Sequence, residues 1–303
     1  MKASSCAISA TDAYGCIVED SSNSILGSAL ALDGASVVSN CTFVGNASPV
    51  VRTRTSSTAA VLMYCTFSNN LGNVIRVADN QSDCRLTLRH CTILCTNASD
   101  KAVYSERYDA ISTYASEATV ENCVIRGLVS GPGSYYNCLI TGVTNATSPV
   151  VQCNADQATY TGVNSPLRLY NCTVTGNHAK QGAVGAGGGY VEAYNSIVRG
   201  NVSEKGVADE FAVADRSCLA NDATATTESL CVRCNPRFMG TPGDEYVPRA
   251  AKLYGKGQVF DWMSDPEDVR SQDLAGKPRL HEGAVDIGAF AMYPLPGFLL
   301  LVR

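Results

Sequence analysis

The chain predicts an all-β fold, a parallel β-helix in which short three-strand coils stack on one another. Three observations lead there. A signature of cysteine, polar residue and large apolar residue, followed by Gly or Asn, returns every 20 to 35 residues, as in NCTFVGN from Asn40 and NCTVTGN from Asn171. Around it the large apolar residues alternate with a period of two, which is the spacing of a strand. A chain of 303 residues with 17% charged residues, net charge -5 and many Ser, Thr, Asn, Gly and Val suits a β-rich protein better than a helical one.

The strands follow in order. With the cysteine as origin, the inward positions 0 and +2 hold Cys41/Phe43, Cys65/Phe67, Cys91/Ile93, Cys123/Ile125 and Cys172/Val174. Upstream, positions -5 and -3 hold Ala60/Leu62, Leu86/Leu88, Ala118/Val120 and Leu167/Leu169. Strict alternation fails between -3 and 0, so the chain must bend there while keeping one face inside. The residue at -1 is Asn40, Asn122, Asn137, Asn171 or Asn195, replaced by Tyr64 and His90 in two units. Asparagine tolerates the left-handed backbone such a bend needs, and stacked amides can bond one another in a ladder. Turn signals close the second strand at Gly45-Asn46, Asn69-Asn70, Thr141-Gly142, Gly176-Asn177 and Gly200-Asn201. A third strand then begins in SPVVRT at Ser48, GNVIRV at Gly72, DKAVYSE at Asp100, SPVVQC at Ser148 and QGAVGA at Gln181.

Eight of the fourteen cysteines (Cys16, Cys41, Cys65, Cys91, Cys123, Cys138, Cys172, Cys218) are assigned to one position of this pattern, with Ser196. The intervals from Cys41 are 24, 26, 32, 15, 34, 24 and 22 residues. Coils of 22–34 residues are therefore expected, with the 15 explained by one displaced boundary. Neighbouring rungs lie about 4.8 Å apart, whereas a disulfide needs Cβ atoms about 3.5–4.5 Å apart and suitably directed. The column is thus expected to be a packing ladder of buried, reduced thiols. Cys84, Cys95 and Cys153 are read as isolated packing residues. For the CVRC pair, Cys231 and Cys234, unbridged packing, a local disulfide and zinc binding with Cys218 stay open, although zinc normally takes four ligands. No metal and no cofactor is expected.

After Cys234 the repeat gives way to a segment with Pro, Arg, Asp and the single tryptophan, Trp262. The division is a solenoid over 1–230 and an irregular C-terminal cap over 231–303, since the open end of a β stack needs cover. The three-strand plan and bend asparagines resemble the right-handed parallel β-helix, or pectin-lyase-like, superfamily. FVGN and FSNN, at Phe43 and Phe67, resemble the F-x-x-N repeat of polymorphic outer membrane proteins, and GAGGGY from Gly185 resembles its glycine-rich companion. DLAGKPRLHEGAVDIGAFAMY, residues 273–293, resembles the end of bacterial choice-of-anchor Q domains through Asp273, Gly276, Pro278, Arg279, Asp286, Ile287, Gly288, Ala289 and Phe290, with Ala291 where glutamate is usual. The lead-in from Asn235, including 243–246, is similar as well. These resemblances imply a right-handed coil and an exported, extracellular or cell-surface bacterial protein. No signal peptide is visible at the start, and the chain begins inside a coil-like pattern, SSCAISATDAYGCIVED, with no amphipathic helix to cover the first coil. It is therefore expected to be the C-terminal part of a longer protein or a gene model begun too late. The late apolar run PLPGFLLLVR is too short to span a bilayer.

In this superfamily, carbohydrate commonly lies across the outer face of the third strands. Aligning those strands places Arg52, Arg76, Tyr104 and Gln152 in one column and Arg54 and Glu106 in the next. Loops before Cys91, Cys123 and Cys172 are expected to wall this face. Arginine and tyrosine suit an acidic sugar through bidentate pairing and stacking. The acidic balance and the lack of a basic, aromatic-interleaved block speak against nucleic acid. The catalytic signatures of polygalacturonases and pectate lyases are missing. Asp209/Glu210 and Asp265/Glu267/Asp268 are read as surface charge, and His178 is the one histidine suited to acid–base work. The expected function is a non-catalytic exported or surface solenoid, adhesin-like or glycan-binding, with polysaccharide or a cell-surface glycan as partner. The alternative is a polysaccharide lyase or glycoside hydrolase with an unfamiliar site on the outer face.

Overall fold

The computed structural model describes residues 2–3, 6–9, 12–14, 17–19, 29–33, 35–46, 49–54, 59–77, 84–95, 97, 100–105, 117–153, 166–185 and 190–292, with backbone alone at 2–19, 33, 54 and 105. The column residue Cys16 lies outside them. Three long parallel sheets make a parallel β-helix. The first holds the strands that precede each bend, from Asp12–Tyr14 to Thr224–Ser229; the second holds those that follow it, from Lys2–Ala3 to Cys218–Leu219. The third holds the remaining strands, from Cys6–Ser9 to Val184–Gly185. Every inward residue named from the alternation is buried, in one core that runs from coil to coil. Phe43 and Phe67 stack within it at 4.7 Å.

Each bend residue has the left-handed backbone that the missing alternation step demands. Asn40, Asn122, Asn137, Asn171 and Asn195 have φ between 49 and 54°, and Tyr64 and His90 adopt the same conformation at 54 and 50°. These two lack an amide, and their rings stack instead at 5.0 Å and 3°.

The coil from Cys123 to Cys138 corrects the expected lower limit of 22 residues. It is complete in 15 residues, with strands Val124–Arg126, Leu128–Ser130 and Gly133–Tyr136 all paired with their neighbours, the register shifting once, between Lys101 and Val103 of the strand before Leu128–Ser130. No boundary is displaced. A single residue, Gly127, makes the corner between the second and third sheets, and a Cβ there would lie 2.4 Å from Cys95 Sγ.

The thiol column also needs one correction. Ile197 pairs with Cys218 and Val198 with Leu219, so Ser217, rather than Cys218, continues the column. Cys218 is one residue along and faces outward, because a one-residue step reverses the face of a strand. Cys231 resumes the column, its thiol donating to Ala214 O as the Cys65 thiol does to Val38 O. Each column thiol caps carbonyls at the bend: Cys65 donates to Met63 O, Cys91 to Arg89 O and Leu62 O, and Cys172 to Tyr170 O and Tyr135 O. The Ser196 and Ser217 hydroxyls donate to the equivalent pairs of carbonyls, which is why serine fits. Burial and the neighbouring thiol push Cys138 upward in pKa, so it stays protonated.

A second amide ladder runs where only turns were expected. Asn46 donates from Nδ2 to Asn70 Oδ1 at 3.0 Å, and Asn177 does the same to Asn201 Oδ1 at 3.0 Å. Asn46, Asn70 and Asn177 are buried. Their side chains replace backbone pairing at the corner between the second and third sheets, as when Asn70 Nδ2 donates to Phe43 O.

The third sheet ends sooner than the other two. The N–H groups of Val184 on its last strand and of Ala183 just before it find no further strand carbonyl, and both donate to Asp209 Oδ1 at 2.9 Å. Asp209 is therefore a buried end-cap for the sheet, not the surface charge expected. Glu210 beside it is exposed.

Among the described residues after Ser229 the chain is irregular apart from three short 3-10 turns, one hairpin of two-residue strands and isolated bridges at Val232 and at Gln272–Pro278. Its cover falls along the outer face of the second sheet and over the bend column. Ile197 and Cys218 pack under Leu253, Ile287 and Met292; Leu139 packs under Ala289 and Phe290. The second sheet is consequently buried on both faces there, with all three residues of Thr173–Thr175 out of solvent. Gly288 has φ 107° and lies so close to this sheet that a Cβ would sit 2.6 Å from Ile197 Cδ1.

Candidate functional site

The third-sheet strands carry the predicted outward column. Arg52 pairs in register with Arg76, Arg76 with Tyr104, Tyr104 with Ser130 and Ser130 with Gln152. The four expected residues share one line. Ser130 enters between Tyr104 and Gln152 because the 15-residue coil supplies a rung that the sequence pattern hid. The next residue in the column is Gly185. At about 4.8 Å per rung, the line from Arg52 to Gln152 spans about 19 Å.

This line has a graded chemistry. Two guanidinium groups on adjacent rungs, Arg52 and Arg76, form its cationic end. Tyr104 follows, with Lys101 Nζ 3.4 Å from its ring centroid, a cation–π contact that orients both groups. The far end is neutral, with Gln152 Nε2 donating to Ser130 Oγ at 3.4 Å. Arg54, of which only the backbone is described, pairs in register with Asp33. Glu106 and the loops expected to wall the face, 78–83, 106–116 and 154–165, lie outside the described residues.

A separate cleft of about 290 Å³ opens between the first sheet and the C-terminal segment, lined by Arg89, Glu121, Asp265, Glu267, Asp268 and Arg270. Sequence reasoning missed it because its walls lie almost 150 residues apart in the chain. Glu121 accepts from Arg89 Nε at 2.6 Å. Arg270 donates to both Asp268 oxygens, at 2.9 and 3.1 Å from Nε, and its guanidinium lies 4.9 Å from the Tyr136 ring. The Arg270 hydrogen bonds hold the Asp268 carboxyl below its ordinary range. A glycosidase pair needs one carboxyl kept protonated and aimed at the leaving oxygen. Asp268 is instead paired with Arg270, whose Nε also lies 3.9 Å from Glu121 Oε1 and whose guanidinium packs on Tyr136, contacts that hold the segment against the sheet.

The histidines have similar employment. His178 Nε2 lies 3.3 Å from Glu204 Oε1 at the surface. His90 is a bend residue whose pKa is lowered by burial and then by Arg89. His281 Nε2 lies 3.1 Å from Asp286 Oδ2.

The conspicuous polar residues of the C-terminal segment build a clamp on the bend column. Asp273 Oδ1 accepts from Ala275 N and Lys277 N, and its other oxygen accepts from Ala291 N. Asp286 accepts from Gly255 N at 2.7 Å and from Met292 N. Fully buried Arg279 enters the asparagine column itself, donating from Nε to Asn137 Oδ1 at 2.8 Å and from Nη2 to Asn171 O at 3.5 Å. The ladder is thus interrupted: Asn137 bonds Asn122 at 3.0 Å and Asn195 approaches Asn171 at 3.5 Å, with the guanidinium between the pairs. Among the described residues no group of three or more His, Cys, Asp or Glu side chains could hold a metal ion. No described helix is long and apolar enough to cross a membrane. Comparison of the chain with protein-family models, with curated proteins and with solved structures found no match.

Proposed function

We propose that this chain is a non-catalytic binding solenoid of the pectin-lyase-like kind, exported or held at a cell surface, and that its third-sheet outer face takes an acidic glycan. The observation that carries the reading is the in-register line Arg52–Arg76–Tyr104–Ser130–Gln152, with Lys101 over the tyrosine. Guanidinium groups pair with carboxylate or sulfate, tyrosine offers a ring to a sugar face and the Gln152 amide offers hydrogen bonds to hydroxyls, while buried Ser130 accepts from that amide and holds it in place. Strands hold these groups at fixed spacing, so little side-chain placement is left to the moment of binding. The resemblance of residues 273–293 to choice-of-anchor Q domains supports a surface location, and the clamp built by Asp273, Arg279 and Asp286 gives that motif a structural role.

Affinity electrophoresis through gels containing polygalacturonate, alginate or a neutral glucan tests the proposal. The expected result is retardation by an acidic polymer, weakened at high salt and lost in Arg52→Ala/Arg76→Ala, with no new reducing ends or unsaturated products. Retardation unchanged in the double variant sinks the assignment of the face. Polymer cleavage abolished by Arg76→Ala would make the protein an enzyme.

A further inference from the structure

The two cysteines of CVRC leave the last coil in opposite directions. Cys231 points into the solenoid, where its thiol donates to Ala214 O at 3.4 Å. Cys234 turns outward, and its Sγ lies 3.9 Å from the Sγ of Cys218, whose thiol also donates to Cys234 O at 3.3 Å. Cys218 is fully buried on the outer face of the second sheet, between Ile197 and the C-terminal segment. Cys234 is half-buried on irregular chain just beyond the last bridged residue, Val232.

We propose that Cys218 and Cys234 form a disulfide under oxidising conditions, fastening the root of the C-terminal segment to the second sheet. The sulfurs already touch. Closing the bond to about 2.05 Å needs rotation of the Cys234 side chain, which no strand pairing restrains. The column thiols differ, since each sits on a rigid rung with its hydrogen directed to bend carbonyls. An external disulfide, such as oxidised glutathione, is the oxidant. The half-buried Cys234 thiolate attacks one sulfur of the oxidant and releases the first thiolate. Cys218 then loses its proton to solvent, attacks the Cys234 sulfur of the mixed disulfide and expels the second thiolate. Two protein thiols are oxidised to one disulfide, and one oxidant disulfide is reduced to two thiols. Burial pushes the Cys218 thiol up to about 12, so the thiolate that this second attack needs becomes more abundant as pH rises. The inference requires an oxidising environment and is independent of glycan binding.

The test equilibrates the full chain in glutathione buffers of increasing oxidised fraction, traps free thiols with N-ethylmaleimide and maps tryptic peptides without reduction. Cleavage after Arg216, Arg233 and Arg237 gives peptides 217–233 and 234–237, which the disulfide joins. Because Cys231 shares the first peptide, Cys231→Ser must keep the joined pair and Cys218→Ser must lose it. Oxidation closes a span of 16 residues and is expected to raise the melting midpoint by about 5 °C, reversibly with dithiothreitol. The opposite dependence, with the joined pair lost in Cys231→Ser and kept in Cys218→Ser, overturns the proposal. So does Cys234 that stays alkylated at every glutathione ratio. Cys234→Ser guards against a misfolded Cys218 variant: it must leave Cys218 a free thiol and abolish the midpoint shift, and a shift that survives it also overturns the proposal.

Discussion

Replacing Asn137 by alanine separates the backbone duty of the bend column from its duty as a docking rail. Asn137 has φ 54°, is fully buried, and donates from Nδ2 to Gln272 O at 2.7 Å, Arg270 O at 2.9 Å and Asn122 Oδ1 at 3.0 Å. Its Oδ1 receives Arg279 Nε at 2.8 Å. Alanine in this left-handed conformation costs about 1 kcal/mol. Gln272 O keeps a bond from Asn122 Nδ2, but Arg270 O loses a donor in a buried place, at about 1 kcal/mol. The buried guanidinium of Arg279 loses an acceptor, which costs about 3 kcal/mol for a charged group without water. Asn137→Ala is therefore expected to lose about 5 kcal/mol, and Asn137→Gly about 1 kcal/mol less because glycine adopts this backbone freely. Asn40→Ala is the matched control: its φ is 53° but the side chain is exposed, so only the backbone cost of about 1 kcal/mol applies. Urea unfolding followed by circular dichroism gives the three values, and amide exchange across 258–289 reports whether the segment is released. Equal losses for Asn137→Ala and Asn40→Ala would refute the docking role, as would an unchanged exchange pattern over that segment.

Two further substitutions follow from buried polar atoms. The hydroxyl of Tyr135 is buried in the solenoid interior with no hydrogen-bond partner among the described residues, so Tyr135→Phe is expected to stabilise by about 1 kcal/mol in the same urea assay; a loss of stability would mean the hydroxyl has a partner. Burial raises the Asp209 carboxyl pKa more than its two amide donors lower it. The folded state therefore holds this proton to higher pH than the unfolded chain does, and the contribution to stability is full below the unfolded pKa and declines as pH rises through the folded one. Asp209→Asn keeps an oxygen for Ala183 N and Val184 N without ionising. It should match the parent at low pH, exceed it near neutrality and flatten the decline between; a variant less stable than the parent near neutrality would show that the ionised carboxylate is what the sheet end requires.

Much of the coil was legible because its determinants are local. The jump in apolar spacing between -3 and 0 requires a bend, and asparagine at -1 supplies its left-handed backbone; Leu86, Leu88, Cys91 and Ile93 accordingly all reach the core. The outward line of Arg52, Arg76, Tyr104 and Gln152 was legible for the same reason, through period-2 strands around Val51, Ile75, Val103 and Val151. The rung at Ser130 was hidden because Leu128, Val129 and Ser130 are all buried and show no alternation. A signal for the second amide ladder existed in the spacing, since Asn46 to Asn70 and Asn177 to Asn201 both repeat at 24 residues, the interval of the column residues they follow, Cys41 to Cys65 and Cys172 to Ser196.

What the sequence by itself determined is the rung: which residues face in, where the backbone must turn left-handed, and which polar groups stand on the outer face of the third sheet. Those choices rest on the two-residue period and on backbone sterics, which act within a few residues. Tertiary structure alone decided how rungs meet and what covers them. It put Ser217 rather than Cys218 in the column, capped the third sheet with Asp209, drove Arg279 between Asn137 and Asn171, and set Cys234 against Cys218. Each of these joins groups distant in sequence or depends on a register of one residue. Their energies come from buried polar groups finding partners across coils, and no local pattern records which partner that will be.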